Sequence, residues 1–197
     1  MDEGYIKFRY EFSEGKLIDE SKIQDLQQFR TFLYDLGLIG SFNNISYGNV
    51  SKRIEQLSFV ISASNTGTFR VLPAEYFVLI KFVDVEKGIV HCVGKFPPSA
   101  ETITHYAVYS TFHNANYVIH FHNSQIWNKL KHFKPTTPDN AQYGSLDLAK
   151  SILSFKDNLD TNICIGTIVL GGHKDGIIVF GSERKDLEKE VLELMSL

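Results

Sequence analysis

The stretch Pro97–Asn123, PPSAETITHYAVYSTFHNANYVIHFHN, constrains this chain more than any other, because it ends in His120-Phe121-His122. In a β-strand, residues i and i+2 point to the same face. The two imidazoles therefore project side by side, next to Val118, while Tyr117, Ile119 and Phe121 face apolar packing. The first half of the stretch reads as a helix. Pro97 and Pro98 stop whatever precedes. Ser99 can cap the helix, with Glu101 in the first turn, where the helix dipole favours a carboxylate. Ile103, Ala107, Val108 and Phe112 recur at helical spacing, and Asn114-Ala115-Asn116 makes a turn.

Simple lengths join the two halves. A helix from Ala100 to Phe112 runs roughly 18–20 Å, and a strand from Tyr117 to His122 returns over about 17 Å. Glu101 and the two histidines can therefore meet at one end of the layer, as three candidate ligands for a divalent metal. The ordinary alternatives are specific. A histidine in an apolar strand is commonly a satisfied core residue, although two at i,i+2 weaken that reading. Glu101 alone is a typical first-turn acid, and His105, one turn on, supports the site or is polar surface.

The remaining chain alternates helical and strand patterns. Asp19–Leu36 carries Ile23, Leu26, Phe29, Leu33 and Leu36 at helical spacing, with Ser21 as a plausible cap and Gly37 as a stop. Strands are expected at Tyr5–Phe12, Leu57–Ser62, Tyr76–Val85, Ile89–Val93, Asn162–Leu170 and Ile177–Phe180. Further helices are expected around Trp127–Leu130, over Leu146–Leu153 and over Arg184–Leu194. With 197 residues, 43% of them hydrophobic, and no linker or repeat, the expectation is one domain over 1–197. A net charge of -3 leaves no basic footprint for nucleic acid. No run approaches the ~20 apolar residues of a membrane span, and Met1–Phe12 reads as no signal peptide. Cys92 and Cys164 form no CxxC pattern; two free thiols in a reducing cytoplasm are expected.

Two loops could cradle an anion. Gly48-Asn49-Val50-Ser51 sits where a loop enters a strand and can present backbone N–H groups and side-chain donors; a plain turn is the alternative. Ser62-Ala63-Ser64-Asn65-Thr66-Gly67 is a second small, polar loop, otherwise an ordinary hairpin connection. His173 lies in the turn Gly171–Gly176, where glycines let backbone approach a site closely.

The run Ser99-Ala100-Glu101, His105 and His120-Phe121-His122 resembles the class II aldolase/adducin family, over about Leu26–Gly181. The resemblance implies an α/β fold, a single-domain α/β/α sandwich around a central, largely antiparallel mixed sheet. It implies that His120, His122 and a third histidine, His173, hold one divalent metal per chain with Glu101. Zn²⁺ suits three imidazoles, as do Fe, Mn, Co and Ni. Lys174-Asp175 stands before the Gly that normally follows that histidine, which makes Asp175 a rival ligand. Asn49, Thr66, Gly67 and Ser99, with the N–H of Ala100, are implied to bind the substrate phosphate; Ser64 is a rival to Thr66. The implied activity is that of a fuculose-phosphate aldolase-like lyase, cleaving a small phosphorylated sugar through an enediolate with Glu101 as base. Epimerase and dehydratase reactions share the scaffold, and adducin-like members are interaction modules. A cytoplasmic homotetramer is expected, with Tyr5, Phe8 and Tyr10 available for a contact. Three departures stand out: Ala100 replaces a serine, Asn140 stands where aldolases place a tyrosine before the segment matched by Tyr143-Gly144-Ser145, and the tail after Gly181 has no tyrosine.

Overall fold

The computed structural model describes residues 4–197; Met1–Glu3, part of the N-terminal segment read above, lie outside the described residues. The strands are β1 (Arg9–Phe12), β2 (Gly40–Phe42), β3 (Ile45–Tyr47), β4 (Asn49–Glu55), β5 (Ser58–Ser62), β6 (Phe77–Asp84), β7 (Ile89–Val93), β8 (Tyr117–His122), β9 (Ile165–Val169) and β10 (Gly176–Gly181). The α-helices are α1 (Gln24–Asp35), α2 (Thr102–Thr111), α3 (Ser124–Leu130), α4 (Leu146–Leu153) and α5 (Arg184–Met195). Among the described residues, an eight-stranded sheet has the order β1-β7-β6-β5-β4-β8-β10-β9, and β2 and β3 form a small separate hairpin. The β1–β7 pair is parallel and the other pairs of the large sheet are antiparallel. This is the expected mixed, largely antiparallel sheet.

Strand β8 separates two cores by its alternation. Val118 joins Phe59, Ile61 and Ile178 beneath α2 and α4, which contribute Ile103, Val108, Leu148 and Ile152. Ile119 and Phe121 join Val50, Val60 and Val179 beneath α1, α3 and α5, which contribute Leu26, Leu33, Ile126 and Leu187. Each face of the sheet is thus apolar and covered by helices, which defines an α/β/α sandwich. Among the described residues no helix is long and apolar enough to cross a membrane.

Several local expectations shift. Asp19, not Ser21, accepts the capping N–H, and it caps a 3-10 turn ahead of α1. Ser99 acts one residue pair before α2: its Oγ accepts the Glu101 N–H at 3.2 Å and its carbonyl accepts the Thr102 hydroxyl at 2.6 Å. The connection after β5 is not a tight hairpin. It runs along the Pro97–Pro98 segment, bridging Ala63 to Pro98 and donating Ser64 N–H to Pro97 O at 3.0 Å. Phe8 is buried in the α2-side core, whereas Tyr5 is 72% exposed.

Because Phe121 is fully buried on the face opposite the histidines, Phe121→Ala should lower unfolding free energy by about 3–5 kcal/mol. Urea unfolding followed by circular dichroism measures this; a loss under about 1 kcal/mol would contradict the two-sided packing of β8.

Candidate metal centre

Strand β8 runs antiparallel to both neighbours, so its C-terminal end lies beside the N-terminal ends of β4 and β10. The register pairs Asn49 with His120, Ile178 with His120 and Gly176 with His122. Three strand ends therefore bring Asn49, His120, His122 and the His173 turn together. In that turn Gly176 N–H donates to His173 O at 2.9 Å, and Asp175 takes φ 66°. A Cβ on Gly176 would lie 3.1 Å from the His173 ring, so glycine there leaves the imidazole its space. The turn absorbs Lys174-Asp175 while His173 stays in the cluster. Asp175 is not in the cluster, although its Oδ1 is buried without a hydrogen-bond partner.

The side-chain nitrogens of His120, His122 and His173 lie within 4.8 Å of one another, in the pattern of a metal-holding group. His120 Nε2 and His122 Nε2 are 3.0 Å apart. His120 Nδ1 faces the Ile177 carbonyl at 3.1 Å. A carbonyl only accepts, so Nδ1 carries the proton and the Nε2 lone pair faces the cluster. Burial, reinforced by His122, His173 and His105 nearby, holds the His120 pKa well below its ordinary value. His120 is thus neutral, the form that ligates metals. Glu101 is 4% exposed, and its Oε1 lies 3.6 Å from His173 Nδ1. Neither Glu101 oxygen has a hydrogen-bond partner. A buried carboxylate left so is costly, and a divalent cation between it and the imidazoles would offset that cost. The residues present therefore fit a bound metal.

Asn49, Thr66, Ser99 and Ala100 line the same cleft as Glu101 and the three histidines, and Ser64 does too. Gly67 is not in the lining. Its N–H donates to Ser46 Oγ at 3.0 Å, and a Cβ there would collide with the Gly40 carbonyl. The Thr66 hydroxyl turns inward to the Ala63 carbonyl at 3.1 Å. Two further lining residues were not among the expected site residues: Ser46, which carried no sequence argument, and Tyr143, which entered only as part of the matched segment Tyr143-Gly144-Ser145. Ser46 sits in a three-residue strand too short to show a pattern. Tyr143 had a signal in the following Gly144, whose φ of 60° allows close approach to the Ala100 carbonyl. The Tyr143 ring packs 5.1 Å from that of His173, and the Lys7 ammonium lies 3.8 Å above it on the opposite chain end. Asn140 is exposed and outside the lining.

Fold and site together describe an α/β/α domain with a histidine-and-carboxylate cleft at the end of three antiparallel strands. Residues 33–182 match the class II aldolase and adducin N-terminal domain, and the chain belongs to that family. Among solved structures it is similar to an L-fuculose 1-phosphate aldolase, with 19% identity, a TM-score of 0.64, and coverage of 91% of this chain and 86% of that one. It is similar to a sugar-phosphate aldolase from Thermotoga maritima at 17% identity and TM-score 0.60, covering 90% and 94%. It is also similar to YgbL from Klebsiella pneumoniae, whose activity is left open between aldolase, epimerase and decarboxylase, at 16% identity and TM-score 0.63, covering 89% and 87%. At these identities the likeness is one of fold. Sequence comparison with curated proteins gives no match.

His105, one turn after Glu101, is neither ligand nor surface. It is fully buried, with Nδ1 2.7 Å from Ser51 Oγ, which in turn meets the Tyr109 hydroxyl at 2.7 Å. Burial lowers its pKa to about 3. An unfolded histidine titrates near 6.5, so below that pH the unfolded chain takes up a proton that the folded chain refuses. Stability is full above about pH 6.5 and falls as pH drops toward 3, by up to about 1.4 kcal/mol per pH unit from this group. His105→Gln should flatten that slope. Urea midpoints at pH 7.5 and 5.0 test it; equal slopes in both proteins would mean that His105 is protonated in the fold.

Proposed function

We propose that the protein is a divalent-metal-dependent lyase of the class II aldolase type, acting on a small phosphorylated sugar. The observation that carries this is the convergence of three imidazoles on a buried carboxylate without a hydrogen-bond partner, inside a cleft walled by small and neutral polar groups. His120, His122 and His173, with Glu101, would hold the ion; Zn²⁺ suits the nitrogen ligands, and Fe, Mn, Co and Ni are the other candidates. A bound divalent ion supplies Lewis-acid polarisation of substrate oxygens.

The chain's own groups do the rest. Asn49, Ser99, the Ala100 N–H and Thr66 bind the phosphate and fix the substrate's position along the cleft, and Gly67 lets the Thr66 loop pack closely against Gly40. Glu101 stands where a carboxylate can take a proton from the substrate and return it. The backbone around it is pinned by Ser99 and by the Pro97–Ser64 link, so the carboxylate is pre-positioned. A second reading, a sugar-phosphate epimerase or dehydratase, rests on a specific observation: Asn140 is exposed and away from the cleft, where an aldolase would want a proton donor for the leaving carbanion.

A homotetramer belongs to the same proposal. Phe8 is buried within the chain, which leaves the exposed Tyr5 and Phe12 of the N-terminal segment for a subunit contact. Light scattering at micromolar concentration should report an assembly of about four chains; a monomer would refute it.

Elemental analysis and turnover on one preparation test the centre. The wild type should carry about one divalent ion per chain. The His120→Ala, His122→Ala double variant should keep its circular dichroism and lose the ion; equal metal in both proteins would remove the site. Glu101→Gln keeps the shape of the side chain without its basicity. It should bind metal within about tenfold of wild type while turnover of a phosphorylated ketose falls roughly 10²–10⁴-fold. Intact turnover with intact metal would move the base elsewhere.

A further inference from the structure

Strand β1 is an edge of the eight-stranded sheet, and it lies ahead of residues 33–182, which carry the family match. Among the described residues it pairs with β7 alone, in parallel, from Arg9 against Ile89 to Phe12 against Cys92. Arg9 N–H donates to Gly88 O at 2.9 Å, and Ser13 N–H donates to Cys92 O at 2.8 Å. In a parallel pair the bonding residues alternate along each strand. Arg9, Glu11 and Ser13 therefore turn their backbone groups toward β7, and Tyr10 and Phe12 turn theirs outward. Among the described residues no group accepts the Tyr10 or Phe12 N–H. The opposite edge of the sheet differs. There Val169 N–H donates to Pro135 O at 2.9 Å and Thr137 N–H donates to Val169 O at 3.0 Å, so residues 135–137 cover part of β9.

Proteins blunt open edges with lysine, proline, a bulge or a covering segment. Arg9–Phe12 has no lysine or proline, and its register against β7 is unbroken. It carries two charges, and their order complements itself. Arg9 and Glu11 are exposed and share one face of the strand, while Tyr10 and Phe12 share the other. Phe12 is 51% exposed and meets Tyr10 edge to face, with ring centroids 5.6 Å apart. An unpaired backbone edge, a self-complementary charge order and an exposed aromatic ring thus coincide on four residues.

We propose that β1 is a homodimerisation edge, pairing antiparallel with β1 of a second copy across a two-fold axis, Tyr10 opposite Tyr10. The outward N–H and C=O groups of the two tyrosines bond each other, and the two eight-stranded sheets become one. Arg9 of each copy stands opposite Glu11 of the other, in the close, non-hydrogen-bonded pairs of the ladder. Charge selects this register. Sliding by two residues sets Arg9 against Arg9 in one direction and Glu11 against Glu11 in the other. Sliding by one sets outward-turned residues against inward-turned ones. Phe12 of each copy comes to lie against the Phe8–Tyr10 stretch of the other, which covers its exposed ring. Such a contact is isologous, the same patch on both partners, and this self-complementarity is what names a second copy as the occupant. The contact needs neither the metal nor the phosphate, and it supplies one two-fold contact to the assembly proposed above.

Cross-linking tests the register. Cys164 is exposed and Cys92 buried, so Cys164→Ser is the background. Arg9→Cys and Glu11→Cys proteins are purified separately, mixed, and oxidised with diamide. Cα atoms of a close ladder pair are about 4.5 Å apart, within disulfide reach. The mixture sets the two thiols opposite each other and keeps one Arg9–Glu11 pair. It should give at least about tenfold more covalent dimer on a non-reducing gel than either protein alone. A mixture no better than the single proteins would overturn the inference. Charge reversal is the second test. Arg9→Glu and Glu11→Arg each set like charges opposite and should weaken dimerisation roughly tenfold in sedimentation equilibrium, and the double variant should return to within about threefold of wild type. A double variant as weak as the single ones would overturn the pairing. Both positions are exposed, so the variants should keep the circular dichroism of the wild type. Light scattering separates this contact from the tetramer. Four chains without the cross-link would leave the tetramer on other surfaces and overturn this contact. A cross-linked protein of two chains would keep this contact and refute the tetramer.

Discussion

The structure depends on one constraint: β8 is buried on both faces and paired on both edges, by β4 and β10. Such a strand has no freedom of register, since a slip of one residue would exchange Val118 and the histidines with Ile119 and Phe121. The same pairing aligns the end of β8 with the starts of β4 and β10. Asn49, His120, His122 and the turn bearing His173 therefore meet without any long-range search by flexible loops. Helix α2 adds Glu101 from the layer above, and the Pro97–Pro98 segment ties it to the loop at Ala63–Ser64.

Electrostatics at this end of the sheet follow from burial. His120 and His105 are held neutral by loss of water, and each finds an oxygen for Nδ1: the Ile177 carbonyl for one and the Ser51 hydroxyl for the other. The imidazole rings of the cluster touch edge to face or tilted, with centroids 4.5–4.9 Å apart. Positive charge comes instead from Arg30, one layer back, where a guanidinium spends its donors on backbone carbonyls. Two kinds of group thus lie close together: a cluster of imidazoles that includes the neutral His120 in front, and a fixed cation behind a peptide wall.

Much of this was legible in the sequence because it rests on short periods. The i,i+2 histidines separated by Phe121, and the apolar spacing of Ile103, Ala107 and Val108, specify a strand and a helix whatever surrounds them. Glu101 and His173 were legible through the resemblance and through their glycine and proline neighbours. What stayed hidden depends on contacts between distant segments. Arg30 reads as an ordinary polar position of an amphipathic helix, and only the return of residues 66–70 over α1 buries it. Gly67 reads as a ligand donor, yet its N–H is taken by Ser46 from a hairpin that no periodicity announces. Phe8 reads as available surface until β1 joins the sheet edge beside β7 and carries it into the core.

Folded proteins leave few buried polar atoms without partners, and those few call for a reason. Here the carboxylate oxygens of Glu101, Asn49 Oδ1 and His105 Nε2 are all buried without hydrogen bonds. They share one end of the sheet: Asn49 is register-paired with His120 across β4 and β8, and Glu101 and His105 stand one turn apart at the start of α2. Arg30 Nε, Thr104 Oγ1 and Ser110 Oγ are further buried atoms of this kind, outside the cleft lining. The unmet polar demand of Glu101 and Asn49 lies where a cation and an oxygen-rich ligand would answer it. A domain that tolerates that demand gives up stability at one place to keep a preorganised site, and the two-sided burial of β8 is what lets the rest of the fold tolerate it.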